Sequence, residues 1–161
     1  MSVLIADQDF YTATGGGVTF SGGECMLYPE FVAQIARLCW ENGISVAIDT
    51  AGNVPYAHFE MVLPYTDLFL YDIKCLDHEL HRRGTGVGNE RILENLERLC
   101  QEGKRILIRV PQIPGFNEGE ELARICEYCE TRRLPYELLS YHQFGEDKKK
   151  ALLAFSSDPL K

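Results

Sequence analysis

Six polar side chains with catalytic or binding chemistry stand directly behind short apolar runs in this sequence. Glu24 follows Ser21-Gly22-Gly23, where two glycines let a ligand approach the backbone and a carboxylate can receive an ammonium. Asp49 and Thr50 follow Val46-Ala47-Ile48, and an acid at that point of a buried strand must be paired or bind something. Asp72 and Lys74 are two residues apart, so on a strand they share one face, either as an internal ion pair or with the amine free for a ligand carboxylate. Arg109 precedes the stiff exit Pro111-Gln112-Ile113-Pro114-Gly115, and His142 follows Tyr141. Gathered on one rim, Glu24, Asp49, Asp72, Lys74, Arg109 and His142 would offer partners for an ammonium, a carboxylate and ribose hydroxyls. Those are the groups of a zwitterionic amino acid joined to a nucleoside. Spacing alone leaves two other chemistries open, a Schiff base on Lys74 and a metal held by the aspartates and the histidine. A GxxxxGK phosphate loop is absent, and no serine stands in a nucleophile elbow with His and Asp behind it.

The elements that must position these residues alternate between two patterns. Apolar runs at 18–23, 44–50, 67–74, 105–113 and 135–142 are rich in β-branched and aromatic residues and nearly continuous, which predicts parallel strands buried on both faces. Between them, 29–42, 56–63, 89–103 and 118–133 carry helical periodicity. The first places Phe31, Val32, Ile35, Leu38 and Cys39 on one stripe, and the third does the same with Ile92, Leu93, Leu96, Leu99 and Cys100. Gly43 and Gly103 fall where a helix C-terminus expects glycine. The predicted order is β-α-β-α-β-α-β-α-β with a short helix ahead of it. Right-handed crossovers turn that order into a doubly wound sheet or an arc of a (β/α) barrel. Either architecture puts its chemistry at the carboxyl ends of the strands, where the six residues lie. The expected organisation is an N-terminal segment at 1–14, helical or disordered, a core at 15–146 and a C-terminal tail at 147–161.

Composition narrows the classes. The chain has 161 residues, 45% hydrophobic and 25% charged, which fits one globular domain and excludes a disordered tail, a collagen and a coiled coil. No apolar run reaches the roughly 18 residues of a membrane helix. The N-terminus is acidic where a signal peptide is basic, so a cytoplasmic location is expected. A net charge of −8 disfavours nucleic acid, and the basic run Lys148-Lys149-Lys150 reads as a solvated stretch. Six cysteines without a signal peptide predict free thiols in a reducing compartment. Cys126 and Cys129 form a CxxC inside a helical stripe, which reads as two buried small hydrophobes rather than a redox or zinc pair.

The ordered set GGGVTFSGGE, IDTAG, DLFLYDIK, HRRGTGVGNERILENL, RVPQIPGFNE and YHQFG resembles the activating enzymes of glycyl-radical enzymes, a branch of the radical S-adenosylmethionine family that includes the pyruvate formate-lyase activating enzyme. The resemblance covers residues 7–146. It implies a partial (β/α) barrel whose first strand and cluster loop are missing here, the five strands being the second to sixth. It implies a 4Fe-4S cluster bound by CxxxCxxC, which reduces S-adenosylmethionine to a radical that abstracts hydrogen from a glycine of the partner enzyme. Flavodoxin or ferredoxin is the implied electron donor. By the same resemblance Gly22, Gly23 and Glu24 hold the methionine ammonium and Lys74 meets its carboxylate. Asp49, Thr50 and Asp72 match positions for a monovalent cation. Arg109 lies at the cofactor rim and His142 near the ribose and adenine.

Two departures follow. Cys25 stands where the family continues GGEP, as a thiol at the rim or a packed turn residue. No cysteines fit CxxxCxxC, because successive spacings are 14, 36, 25, 26 and 3. The chain by itself is therefore expected to be inactive in radical formation, a fragment of such an enzyme. The alternatives are a non-catalytic interaction module and a metal-dependent lyase or aldolase using Asp49, Asp72 and His142. The unpaired edge of the strand at 18–21 predicts a homodimer or a disordered N-terminus.

Overall fold

A computed structural model describes Tyr11 and residues 14–140 of the chain. Five strands form one parallel sheet in the order β1-β2-β3-β4-β5. They are β1 (Gly17–Phe20), β2 (Ser45–Thr50), β3 (Leu68–Asp72), β4 (Ile106–Pro111) and β5 (Tyr136–Leu139). The helices are α1 (Pro29–Glu41), α2 (Tyr56–Val62), α3 (His78–Thr85), α4 (Glu90–Gln101) and α5 (Glu120–Arg132). Strand order equal to chain order, with a helix in every crossover, is the arc-of-barrel alternative rather than the doubly wound one.

Helix ends follow sequence chemistry. Pro29 opens α1, where its missing N–H costs nothing. After α1, Gly43 N–H donates to Trp40 O (3.0 Å) and Ile44 N–H to Cys39 O (2.9 Å). After α4, Gly103 N–H donates to Cys100 O (3.0 Å) and Lys104 N–H to Leu99 O (3.1 Å). Both pairs satisfy terminal carbonyls in a Schellman motif, as the glycine positions predict.

The inner strands β2, β3 and β4 bury one face, not two. Val46, Ile48, Phe69, Tyr71, Ile106, Ile108 and Val110 are buried against the helices, while the residues between them are only half-buried. Register aligns Ile48 with Phe69 and Phe69 with Ile106 on the helix side. It also aligns Asp72 with Arg109 on the other face. The apolar look of the runs thus concealed a concave face left open to a ligand. Phe31 also departs from its expected stripe. It is 62% exposed, because Val32, Ala36 and Cys39 carry the buried side of α1.

The core centres on aromatic residues. Phe59 packs against Phe69 and Tyr71, with ring centroids 5.8 and 6.5 Å away. All three rings are fully buried, and each such side chain contributes about 1.5–3 kcal/mol. Tyr71 Oη donates to Ile92 O (2.7 Å), tying β3 to α4. Asn95 Nδ2 donates to Gly52 O and Val54 O, both at 2.8 Å, so α4 also fixes the exit of β2. Helix α3 is an element that hydrophobic periodicity did not predict. β5 was expected to run to 142, but residues beyond 140 lie outside the described ones, as do the expected N-terminal segment up to residue 10 and the C-terminal tail.

Candidate functional site

The turn after β1 starts the site. Gly22 has φ +101°, a left-handed conformation that favours glycine, and added Cβ atoms at Gly22 and Gly23 would meet nothing within 4 Å. The backbone there is open to a ligand. Glu24 caps the following single turn (Cys25–Leu27), accepting from Met26 N–H (3.1 Å). Its carboxylate also accepts from Thr50 Oγ1 (2.8 Å) and Ala51 N–H (2.9 Å). It therefore staples the exit of β1 to the exit of β2.

On the concave face four charges form a chain. Arg109 Nη1 donates to Asp49 Oδ2 (3.2 Å), and Arg109 Nε faces Asp72 Oδ1 at 3.5 Å. Lys74 Nζ donates to Asp72 Oδ2 (3.2 Å), and Ser21 Oγ to Asp49 Oδ2 (2.8 Å). The Arg109 Nε to Asp72 Oδ1 contact is an ion pair without hydrogen-bond geometry, which leaves both atoms buried with no hydrogen-bond partner among the described residues. Both atoms have bonding capacity to spare. Two positive and two negative groups leave it locally neutral. Thr50 is separate: its side chain is buried on the helix side against Glu24, across the sheet from Asp49 and Asp72.

Glu24, Asp72 and Lys74 line one cavity of about 250 Å³ at the carboxyl ends of β1–β3. Leu27, Asn53, His81, Thr85 and Val87 also contribute to its wall. Larger hollows occur elsewhere. One of about 460 Å³ lies among Lys104, Arg105 and Pro135 at the amino ends of β4 and β5, and lacks the charge pattern described above. Of the residues singled out in the sequence, the structure brings Glu24, Asp72 and Lys74 to the cavity and joins Asp49 and Arg109 to them by ion pairs. Gly22 and Gly23 flank it in sequence, and His142 lies outside the described residues.

Three further side chains fix the lip that carries Lys74. Asn117, fully buried, donates to Lys74 O (2.8 Å) and Pro111 O (2.7 Å) and accepts from Ile113 N–H (2.7 Å). Asn89 donates to Cys75 O (3.1 Å) and Leu76 O (2.7 Å). The Glu121 carboxylate accepts from Leu76 N–H, Asp77 N–H (3.2 Å) and Cys75 Sγ (3.2 Å). These residues lie in the quoted motifs or beside them, yet their polarity gave no sign that they are buried.

The cysteines do not fit a cluster. Among the described residues, which include all six, no three His, Cys, Asp or Glu side chains are grouped to hold a metal ion. Burial, then Glu24 and Asp49, pushes the Cys25 thiol up to about 11, and its Sγ lies 3.5 Å from Asp49 O as a packed turn residue. Burial pushes Cys75 to about 12, reinforced by its hydrogen bond to Glu121. Burial raises Cys129 to about 11, and that residue is fully buried on α5. Iron needs thiolates, which these thiols do not readily yield.

Comparison with known proteins places this geometry. Residues 8–129 match the profile of the Radical SAM superfamily. The chain belongs to this superfamily. Membership implies S-adenosylmethionine and a 4Fe-4S cluster as cofactors of the superfamily. The chain is 39% identical over 157 residues to the (2S)-3-sulfopropanediol dehydratase activating enzyme of Klebsiella oxytoca, covering 94% of this chain and 50% of that protein. It is 40% identical over 147 residues to the trans-4-hydroxy-L-proline dehydratase activating enzyme of Clostridioides difficile, covering 88% and 49%. These homologues are activating enzymes of glycyl-radical enzymes. A crystal structure of a domain of the pyruvate-formate lyase-activating enzyme from Bacteroides vulgatus superposes with a TM-score of 0.71 at 35% identity, covering 79% of this chain and 81% of that one. The five-stranded parallel sheet is a partial barrel of the superfamily's type. The chain spans about half the length of the curated relatives it matches.

Proposed function

We propose that this chain is the S-adenosylmethionine-binding part of a glycyl-radical enzyme activating enzyme. The observation that carries this reading is the cavity shared by Glu24, Asp72 and Lys74 at the strand exits. Lys74 offers its ammonium to the ligand carboxylate, exchanging its bond to Asp72. The open backbone at Gly22 and Gly23, beside Glu24, receives the ligand ammonium. The cavity is smaller than the roughly 300–1,000 Å³ of a usual small-molecule site. The ligand therefore extends from it onto the concave face, where Asp49 and Arg109 stand. His142 completes the nucleoside end in this reading.

A 4Fe-4S cluster supplies the electron that cleaves the bound ligand in this superfamily. The thiols of this chain do not fit one, so the thiolates come from outside these 161 residues. The chain alone is then a binding part without radical chemistry. The monovalent cation expected at Asp49, Thr50 and Asp72 meets a competing arrangement, since Arg109 already bridges the two aspartates and Thr50 faces the other way. The same bridge weighs against a divalent lyase centre on those aspartates. The macromolecular partner is a glycyl-radical enzyme, with flavodoxin or ferredoxin as electron donor, in the cytoplasm. Among the described residues β1 has no neighbour on its outer edge, which supports the homodimer expected there.

Isothermal titration of the 161-residue chain with S-adenosylmethionine tests the reading. Binding is expected, and Lys74→Ala weakens it about 10- to 100-fold, the worth of a charge-assisted hydrogen bond. No heat at millimolar ligand refutes it and favours an interaction module, while a stoichiometric divalent metal in the purified chain favours the lyase.

A further inference from the structure

The motif running from His81 to Asn89 supplies part of the cavity wall. His81 is 3% exposed and lines the cavity with Thr85 and Val87. Its Nδ1 lies 2.8 Å from Val87 O, and a carbonyl can only accept, so Nδ1 carries the proton. Thr85 Oγ1, 3.1 Å from the same nitrogen, has its own acceptor in His81 O at 2.9 Å. In the neutral form this fixes one tautomer, with the lone pair on Nε2. No protein group bonds Nε2 among the described residues. By contrast Glu24 already accepts three hydrogen bonds. A buried imidazole in a cavity wall with one nitrogen locked and the other unused is arranged to receive a donor.

We propose that His81 is a ligand-binding residue, its Nε2 accepting an N–H or O–H of the molecule in the cavity. The inference rests on the S-adenosylmethionine reading for the identity of that molecule. The position of the ring follows from α3. Asp77 caps the helix through Leu80 N–H (2.7 Å), and Gly86 ends it with φ +86° and a bond to Arg82 O (2.9 Å). The chain then turns Val87 O back onto the ring. The motif holds the Lys74 lip at one end, through Asn89, and presents an acceptor to the ligand at the other.

Two substitutions separate binding from scaffolding. His81→Asn keeps a donor near Nδ1 for Val87 O and removes the Nε2 acceptor. His81→Gln extends an acceptor toward the Nε2 position and gives up the Val87 lock. Titration of the full chain with S-adenosylmethionine should show His81→Asn about 5- to 10-fold weaker than wild type, the range of one neutral hydrogen bond, and His81→Gln nearer to wild type. Both variants should keep the wild-type circular dichroism spectrum. Titrations with methionine and with 5′-methylthioadenosine assign the donor, since the half-molecule that shares the loss contains it. The reverse ranking, with His81→Asn harmless and His81→Gln weak, assigns His81 to scaffolding and overturns the inference. Nitrogen-15 NMR of the imidazole gives a readout that needs no ligand: Nδ1 protonated and Nε2 bare is expected. A protonated Nε2 on the neutral ring overturns the inference alone, whereas absence of binding by wild type overturns the S-adenosylmethionine reading.

Discussion

Replacing Arg109 with methionine removes the group that bridges Asp49 and Asp72. Its contacts are 3.2 and 3.5 Å long, and the three side chains are 24%, 18% and 20% exposed. Breaking a fully buried pair costs about 3–5 kcal/mol, and an exposed pair is worth about 0–1 kcal/mol. With about a fifth of each group in solvent and one contact poorly aligned, the loss should be about 2 kcal/mol. Part of it is repulsion between two carboxylates left on one face, so Asp49→Asn in the same chain should restore about 1 kcal/mol. Urea unfolding of wild type, both single variants and the double variant measures these terms, with the denaturant slope unchanged. The melting temperature of Arg109→Met should fall by about 4–8 °C, since a domain of this size loses about 2–4 °C per kcal/mol. A variant as stable as wild type, or a double-mutant coupling of zero, would mean that the concave face does not depend on this bridge.

Three further outcomes are expected. Glu24→Ala strips the Thr50 hydroxyl and two backbone N–H groups of their partner and should cost about 3 kcal/mol by urea unfolding, with Glu24→Gln intermediate. Gly52→Ala puts a Cβ against the Tyr71 hydroxyl at a backbone φ of +74°, so a thermal melt should show a loss of about 2–4 kcal/mol. The thiols of Cys25, Cys75 and Cys129, held at about 11, 12 and 11 by burial, should resist alkylation at pH 8 in the folded chain. Because folding raises these values above the roughly 8.5 of an unfolded cysteine, their share of the stability is complete below that pH and lost as pH climbs through 11 to 12. Urea midpoints measured from pH 8 to 10.5 should therefore decline.

The strands and four of the helices were legible because each carries a dense apolar pattern, most of them ended by glycine or proline. Helix α3 was not. HELHRRGT buries only His81, so it has no apolar stripe, and its signals are the Asp77 cap and Gly86. The strand exits identified Glu24, Asp72 and Lys74, since residues in a barrel arc converge there whatever their partners. Partner choice was illegible: nothing local reveals that Arg109 reaches across the sheet to Asp49 and Asp72, sixty and thirty-seven positions away in the sequence. Asn117 and Glu121 are illegible for a related reason. Polar residues in a loop and on a helix read as solvated, and only the folded chain shows them pinned against backbone groups more than forty residues away.

The lip behind Lys74 is anchored by Asn89, Asn117 and Glu121, at three separate points of the chain. Such a segment has no hinge of its own. Its amide protons should exchange with solvent only when the surrounding domain opens, which links the placement of one ammonium group to the cooperativity of the whole fold. Changes in specificity would then come more readily through the free turn at Gly22 and Gly23 than through the stretch after β3.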